Sequence, residues 1–395
     1  MPPTPDVIVV GLGAMGGAAL RALARSGHRT LGLDRFSPPH ARGSSHSGGC
    51  VIREACHEHP DYVPIARRAY LLWEELERDA DCRLLTVTGG LMIGLPDGPL
   101  VSGSLESARR HSVAHERLDA KEIRRRFPAL QPADGMVGVW DPRAGLLRPE
   151  AAVAAFLDAA RRHGAAVRFD EPALAWRADG DGVAVTTRRG TYRAARLVLA
   201  AGAGLPRLVS GLPLRVERQV EFWFETVGFR GAHDSDRCPI SIWEHDPGRL
   251  LVALPRSEHG VKVTRLYSGA EIDPDHVDKE ASSSEIAAVR ELLQRHLPFA
   301  SGPIIRSAAR PATRTRDGHF ILDEHPLHRQ AMVVSACSGL GFQFAPVVGE
   351  VIADLLVEGW TRHDLGLFRL SRFAAAAQSA AARAAVASSP APERR

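Results

Sequence analysis

The sequence lacks a strong excess of either charge. Its 395 residues include 50 Lys plus Arg against 46 Asp plus Glu, a formal net charge of +4. The basic residues are spread along the chain and form no block, which weighs against a nucleic-acid partner. With 45% hydrophobic and 24% charged residues, the composition also excludes an intrinsically disordered chain and a collagen-like repeat. A chain of this length predicts two or three domains.

Cysteine is scarce and scattered. The positions are Cys50, Cys56, Cys82, Cys238 and Cys337. They form no CxxC pair and no Cys/His spacing that would build a zinc site, so no metal is predicted. Dispersed cysteines in odd number favour a reducing compartment, and we expect a cytoplasmic protein.

Long hydrophobic runs and targeting signals are also missing. The first residues, Met1 to Pro5, carry no basic side chain, and the apolar run that follows is short and interrupted by glycine. A bilayer span needs about 20 apolar residues. We therefore expect no membrane association and no secretory leader.

What the sequence does contain is a glycine-rich turn in a complete structural context. A β-branched run, Val7 to Val10, leads into Gly11, Gly13 and Gly16, then a helical pattern, and a second apolar strand that ends at Asp34. Gly11 permits a tight turn, Gly13 lets the backbone approach a pyrophosphate, Gly16 allows close helix packing, and Asp34 can accept from ribose hydroxyls. The pattern predicts a dinucleotide-binding unit; the alternative is an ordinary glycine-rich turn between strand and helix.

Two later segments repeat the pattern of a strand followed by a glycine-rich turn. Strand patterns run into glycine-rich turns at Leu199 to Gly204 and at Met332 to Phe342, and the second turn leads into a predicted helix. The intervening stretch from Val216 to Tyr267 is rich in strand patterns. This order predicts a cofactor domain that is interrupted in sequence by a second domain.

These features, in this order and spacing, resemble the monomeric sarcosine oxidase and N-methyltryptophan oxidase family of D-amino-acid-oxidase-like flavoproteins. The resemblance covers roughly residues 5 to 373. It rests on residues 7–34, 38–40, 43–46, 62–64, 199–204, 318–323, 338–342, 349–351 and 367–373.

The resemblance implies a mixed α/β fold with FAD as the cofactor. A Rossmann-type, glutathione-reductase-like FAD-binding domain would comprise residues 1–85, 146–212 and 305–373. A catalytic domain with a mainly antiparallel mixed sheet would comprise residues 86–145 and 213–304. Residues 374–395 are expected to be a flexible tail.

The resemblance also implies the chemistry. Such enzymes transfer a hydride from the carbon beside an amine nitrogen to the flavin, which yields an imine, and dioxygen then accepts the electrons as hydrogen peroxide. His46 falls at the family's flavin-proximal histidine, Arg53 at a substrate-carboxylate arginine, and Lys262 at the oxygen-activating lysine. An exposed ion pair for Arg53 and a solvated strand position for Lys262 are the structural alternatives.

The resemblance further implies a set of cofactor-binding positions. They are Gly11, Gly13, Ala14, Met15, Gly16, Asp34, Arg35, Ser44, Ser45, His46, Ala173, Ala201, Gly202, Arg310, Gly339, Leu340, Gly341, Phe342 and Gln343.

Five positions depart from the family pattern. Cys50 replaces a second flavin-facing arginine and Gln343 replaces a lysine, which weakens the expected grip on a carboxylate. Leu266 replaces a histidine and Ala312 a tyrosine, so the substrate pocket, formed with Arg53, is expected to be roomier and more apolar than one fitted to sarcosine. Arg310 replaces the cysteine that forms a thioether to the flavin. We therefore predict non-covalent FAD, unless Cys50 or another nucleophile substitutes.

The leading hypothesis is an FAD-dependent oxidase or dehydrogenase of a secondary, cyclic or amino-acid-like amine, acting as a monomer with dioxygen, in a role that suits a biosynthetic tailoring enzyme. The alternatives are a flavin-dependent monooxygenase or desaturase, a flavoprotein with a degenerate catalytic site, and a nicotinamide dehydrogenase. The nicotinamide dehydrogenase alternative depends on the segment Gly11 to Asp34 alone.

Overall fold

A computed structural model describes residues 4–229, 231–336 and 339–373. The predicted tail, residues 374–395, and Cys337 lie outside the described residues. No helix in the part of the chain that the structure describes combines the length and the hydropathy that crossing a membrane requires.

The described residues form helices and strands in alternation. The helices are α1 (Ala14–Arg25), α2 (Tyr62–Ala80), α3 (Pro99–Arg110), α4 (Ala120–Arg126), α5 (Pro149–Arg162), α6 (Leu205–Leu208), α7 (Ser283–His296) and α8 (Ala345–Val357). The strands are β1 (Val7–Val10), β2 (Thr30–Leu33), β3 (Cys50–Ile52), β4 (Leu85–Val87), β5 (Gly90–Gly94), β6 (Glu116–Asp119), β7 (Val137–Asp141), β8 (Gly145–Leu147), β9 (Ala166–Arg168), β10 (Ala175–Asp179), β11 (Gly182–Thr187), β12 (Gly190–Ala194), β13 (Arg196–Leu199), β14 (Leu214–Phe224), β15 (Ile240–Asp246), β16 (Arg249–Ser257), β17 (Gly260–Leu266), β18 (Ile304–Thr315), β19 (Ile321–His325) and β20 (His328–Ser335).

A six-stranded sheet has the order β19-β20-β13-β1-β2-β9, parallel throughout except for β19. All four residues of β1 are buried, as expected for a parallel strand that is covered on both faces. Val7 and Val9 pack in a cluster with the helices α1, α2, α5 and α8. Ile8 and Val10 pack on the opposite face against the three-stranded sheet β10-β11-β12.

An eight-stranded sheet has the order β18-β14-β17-β16-β15-β5-β7-β6 and is antiparallel except where β15 pairs with β5. One face packs Phe222, Phe224 and Val263 against Val289 and Leu293 of α7. Because side chains alternate along a strand, the residues between these apolar positions point to the other face. A second three-stranded sheet, β3-β8-β4, completes the described strands.

The mixed α/β fold, with one mainly parallel and one mainly antiparallel large sheet, confirms the predicted fold class. The division into two domains stays a prediction, and the sheets differ from it at one place. The predicted boundary puts residues from 305 onward with the FAD-binding unit, whereas β18 pairs with β14 along most of its length in the eight-stranded sheet. The alternating pattern of β18 gives no signal in the sequence of which sheet it joins.

Candidate functional site

A cavity of about 820 Å³ is lined by residues of both large sheets. It runs from the glycine-rich turn after β1, past Asp34 and the loop of residues 38–45, to Lys262, Leu266 and Arg310. This volume lies within the roughly 300–1,000 Å³ of small-molecule and cofactor sites.

The glycine-rich turn forms a close-fitting cradle at one part of this cavity. Gly11 has a φ of +89°, and a Cβ atom there would lie 2.5 Å from the carbonyl oxygen of Ala200. A Cβ at Gly16 would lie 1.7 Å from the carbonyl oxygen of Gly11. The helix α1 begins at Ala14, so the positive end of its dipole lies at the cavity. This arrangement is the one that holds a pyrophosphate at a helix N-terminus.

Asp34 lies where β2 ends and has its carboxylate buried. One oxygen accepts from the Leu12 backbone N–H at 2.6 Å and the other from the Phe36 N–H at 2.8 Å. Each carboxylate oxygen has a further lone pair, so Asp34 can fix the turn and still accept from a ribose hydroxyl. Nearby, the Ser45 hydroxyl accepts from the Ala14 N–H at 3.0 Å.

Most of the predicted cofactor positions line the cavity. They are Gly11, Gly13, Ala14, Met15, Asp34, Arg35, Ser44, Ser45, Ala173, Ala201, Gly202, Arg310, Gly339, Leu340, Gly341 and Phe342. The cavity, the glycine cradle and the acid after β2 fit a bound FAD.

Three predicted positions lie outside the cavity lining: Gly16, His46 and Gln343. Gly16 instead packs against the turn. The ring of His46 lies near Glu150, with Nδ1 3.8 Å from the carboxylate, and burial lowers the pKa of this histidine. The flanking Ser45 and Ser47 line the cavity at this point, and the role of His46 as a flavin-proximal histidine stays a prediction.

The eight-stranded sheet contributes a charged wall. Glu221 of β14, Lys262 of β17 and Arg310 of β18 line the cavity, and all three are buried. Lys262 Nζ lies 2.6 Å from Glu221 Oε1 and donates to the Gly49 carbonyl at 2.8 Å. The guanidinium of Arg310 pairs with Oε2 of the same carboxylate. Burial lowers the pKa of Lys262 to about 8 and that of Arg310 to about 10.

Glu221 was not predicted as a site residue from the sequence. The signal was present in the alternation of β14, where Val220, Phe222 and Phe224 are apolar and Glu221 lies between them. A charged residue at such a position faces the opposite side of the sheet, which here is the cavity.

The remaining pocket residues are small or apolar. Cys50, Leu266 and Ala312 line the cavity as predicted for a roomier pocket, and Val252 and Leu254 lie beside them. Burial raises the pKa of the Cys50 thiol, whose sulfur lies 3.0 Å from the Ser47 hydroxyl. A thiol with a raised pKa is a weak nucleophile at neutral pH.

Arg53 is fully buried and is not among the residues that line the cavity. Its Nη2 donates to Glu58 at 2.6 Å and lies 3.2 Å from Nδ1 of His57. The alternative hypothesis, an exposed ion pair for Arg53 at the surface, is therefore wrong. Glu58 and His57, which the sequence reasoning missed, are its partners, and the Glu58 carboxylate has its pKa lowered to about 2 against the effect of its burial, by Arg53 and His57.

The structure brings Arg53 and Gln343 together. The Gln343 side-chain oxygen accepts from the Arg53 backbone N–H at 2.9 Å. Nε and Nη1 of Arg53 and Nε2 of Gln343 are buried donors with no hydrogen-bond partner among the described residues. Buried donors without partners are costly, and several in one place indicate the position of an acceptor.

Comparisons with known proteins agree with this site. The family described as FAD dependent oxidoreductase matches residues 6–355. The chain is 43% identical to a monomeric sarcosine oxidase of Streptomyces avermitilis, over 95% of this chain and 100% of the relative. It is 33% identical to an N-methyl-L-tryptophan oxidase of Salmonella arizonae, over 93% and 99%.

A solved structure of NikD, described as an unusual amino acid oxidase essential for nikkomycin biosynthesis, superposes with a TM-score of 0.78 at 25% identity, covering 93% of this chain and 97% of that one. L-proline dehydrogenase from P. horikoshii shares the fold, with a TM-score of 0.81 at 20% identity over 95% and 99%.

The chain thus belongs to the FAD dependent oxidoreductases, within the monomeric sarcosine oxidase and N-methyltryptophan oxidase family. It is an FAD-dependent amine or amino-acid oxidoreductase.

Proposed function

We propose that this protein oxidises the C–N bond of a secondary, cyclic or amino-acid-like amine to an imine, with dioxygen reduced to hydrogen peroxide. FAD, held at the glycine-rich turn and Asp34, would supply the two-electron redox chemistry of this reaction. The observation that carries the proposal is the buried ammonium of Lys262 on the wall of the cavity that begins at the glycine-rich turn. A fixed positive charge in a dry site favours electron transfer to dioxygen.

The pocket indicates what kind of amine would bind. Arg53 and Gln343 lie outside the cavity lining but close in sequence to residues that line it. They offer three buried donors that lack partners among the described residues, and a substrate carboxylate that reached this layer would satisfy them. Gln343 is neutral, so the anion would be held less strongly than by two cations. Leu266 and Ala312 leave apolar space beside it. We propose an amino-acid-like substrate with a larger or cyclic carbon skeleton than sarcosine.

The substrate proposal has support from the relatives' own names. They act on sarcosine and on N-methyl-L-tryptophan, and NikD is described as serving a biosynthetic pathway. A tailoring role in biosynthesis is part of the proposal. So is a cytoplasmic monomer, supported by the dispersed free cysteines and by the word monomeric in the relatives' names.

The test is an amine panel with two readouts. Purified protein with FAD is mixed with sarcosine, N-methyl-L-tryptophan, glycine, L-proline and larger N-alkyl and cyclic amino acids. Peroxide formation is followed in air and flavin bleaching is followed without oxygen. We expect larger or cyclic amino acids to have a higher kcat/KM than sarcosine. Silence in both readouts across the panel, with the flavin bound, would refute the proposal.

A matched substrate pair tests the carboxylate. The methyl ester of the best substrate keeps the amine and the carbon skeleton but removes the anion. We expect kcat/KM to fall by about 10- to 100-fold, the size of one charge-assisted hydrogen bond at about 1.5–3 kcal/mol. Equal rates for the acid and the ester would show that Arg53 and Gln343 serve another purpose.

A further inference from the structure

Glu221 is a buried carboxylate held between two cations. It is 5% exposed, lies on β14, and contacts Lys262 on β17 through Oε1 and Arg310 on β18 through Oε2. The strand register explains the contacts. Glu221 pairs with Thr264 and Gln219 with Arg310, so Glu221 lies diagonally between the two cations on one face of the sheet. The proposed reaction assigns Glu221 no role.

The three groups determine the charge of this wall. Two cations and one carboxylate sum to one net positive charge, where Lys262 and Arg310 alone would contribute two. All three side chains are no more than 8% exposed, so solvent screens their charges weakly. The single buried carboxylate of Glu221 therefore sets the net charge of the wall and fixes the positions of the two cations.

We infer that Glu221 is a positioning residue that holds the Lys262 ammonium and the Arg310 guanidinium on the cavity wall and keeps the charge of that wall at one net positive. The inference rests on the proposed function, since the wall acts on the bound flavin and on dioxygen. It extends that function by assigning control of the flavin's reduction potential to a residue that acts through Lys262 and Arg310.

Other groups also face Lys262. They are Cys50 of β3, Glu150 of α5, Arg306 and Arg310 of β18, the Gly49 carbonyl and, at 5.8 Å, the ring of Trp223. Among the described residues, Glu221 is the carboxylate that contacts the ammonium directly. Glu150 acts from farther away and also accepts from the Gly48 backbone N–H at 2.8 Å.

The test replaces Glu221 by glutamine, which keeps the shape and removes the charge. The potential is compared at pH 6, well below the Lys262 pKa of about 8, so that the ammonium stays charged. Under this condition the wall of E221Q would carry two net positive charges, which favours the anionic reduced flavin. We expect the reduction equilibrium of bound FAD against a reference dye to shift by about tenfold toward the reduced form, about 30 mV for a two-electron couple. We also expect the alkaline loss of flavin reoxidation to begin at lower pH, because Lys262 has lost its anionic partner.

Three further variants separate this role from a merely structural one. E221D keeps the charge and should retain the wild-type potential. R310Q brings the wall to neutral and should shift the equilibrium in the opposite direction, whereas E221Q with R310Q restores one net positive charge and should return toward wild type. E350Q is the matched control. It removes a partly buried carboxylate of α8 whose cationic partners are Arg68 and Arg362, and it should change stability but not the potential.

An unchanged potential in folded, FAD-loaded E221Q would overturn the inference. If E221Q does not fold, the R310Q variant tests the inference instead. A reduction potential in R310Q that equals or exceeds that of the wild type would contradict the charge assignment. The potential is measured by dye reduction without any amine. A protein that fails the amine panel but follows these shifts would refute the proposed function alone.

Discussion

At the scale of single residues, Lys262 connects the structure to a measurable pH dependence. Burial lowers the pKa of its ammonium to about 8 from the usual 10.5. Below that pH the side chain is a cation, and above it the charge is lost. We therefore expect the rate at which reduced enzyme reacts with dioxygen to fall as the pH rises from about 7 to about 9, in stopped-flow traces of flavin reoxidation. A rate that is flat over this range would contradict the role of Lys262.

Substitution of Lys262 gives a second prediction for the same step. K262M should slow reoxidation by about 10²-fold, the typical effect of removing one group that stabilises developing charge. Anaerobic flavin reduction by the amine should change much less. K262R is the matched control, because arginine stays charged throughout this range. It should keep part of the rate and lose the alkaline fall, and a K262R profile that still falls near pH 8 would assign the titration to another group.

The attachment of FAD depends on residue 310. Arginine cannot form the thioether that the family resemblance places there, and Cys50, the cysteine that lines the described part of the cavity, has a raised thiol pKa because it is buried. We expect acid precipitation to release all yellow chromophore into the supernatant. Colour in the pellet would reveal a covalent bond. C50A then tests whether Cys50 forms it.

The residue scale is also where sequence reasoning had its limits. The motif from Gly11 to Asp34 specifies its own geometry, since each glycine meets a local steric demand. Glu221 and Arg310, 89 residues apart in the chain, meet only through the pairing of β14 with β18. The partners of Arg53 were missed for a different reason: Glu58 is close in sequence, but a charged residue in a polar stretch gives no sign that it pairs with a buried arginine.

At the scale of elements, the turn between β1 and α1 can be tested with a pair of glycines. Gly11 and Gly27 both have positive φ, at +89° and +83°. A Cβ at Gly11 would meet Ala200, whereas a Cβ at Gly27 would meet nothing within 4 Å. G27A should cost only the backbone strain of roughly 1–2 kcal/mol. G11A should cost more and should weaken FAD binding, because the turn must move.

The measurements for this pair are thermal unfolding without added FAD and FAD titration by fluorescence. Equal losses of stability in the two variants, with unchanged FAD affinity in G11A, would show that the turn is not the cofactor cradle.

Element type and order followed from the sequence where a pattern was strongly periodic or had its turn residues in place. The strand at Val7 to Val10 and the helix after Gly13 lie where they were predicted, and the strand pattern from Thr191 to Ala201 is divided into β12 and β13. The assignment of β18 to a sheet did not follow, because long-range strand pairing is decided by packing partners and leaves no local signal.

At the scale of the whole molecule, the loop of residues 267–282 between β17 and α7 connects the two large sheets across the cavity. Asp275 accepts from Arg35, next to the end of β2, at 2.6 Å, and also pairs with Arg207 of α6. Both arginines lower the pKa of the Asp275 carboxyl, so the bridge persists at neutral pH and is lost only as the pH falls through that lowered pKa. Pro274, Asp275 and His276 line the cavity.

The ion pairs of Asp275 with Arg35 and Arg207 are expected to slow the release of FAD modestly and in a salt-dependent way. The ion pairs are partly exposed, so each is worth at most about 1 kcal/mol. D275N should therefore speed the release of FAD by about two- to fivefold. High salt should produce the same acceleration in the wild type and little more in D275N, since screening removes what the substitution has removed already.

The control for this prediction is D6N, which breaks the exposed Asp6–Arg29 pair within the six-stranded unit, outside the cavity lining. FAD release is measured from the recovery of flavin fluorescence after dilution. D6N should release FAD at the wild-type rate. If D275N and D6N behave alike, or if salt accelerates release equally in D275N and the wild type, the loop does not retain the cofactor and the cavity walls alone hold it.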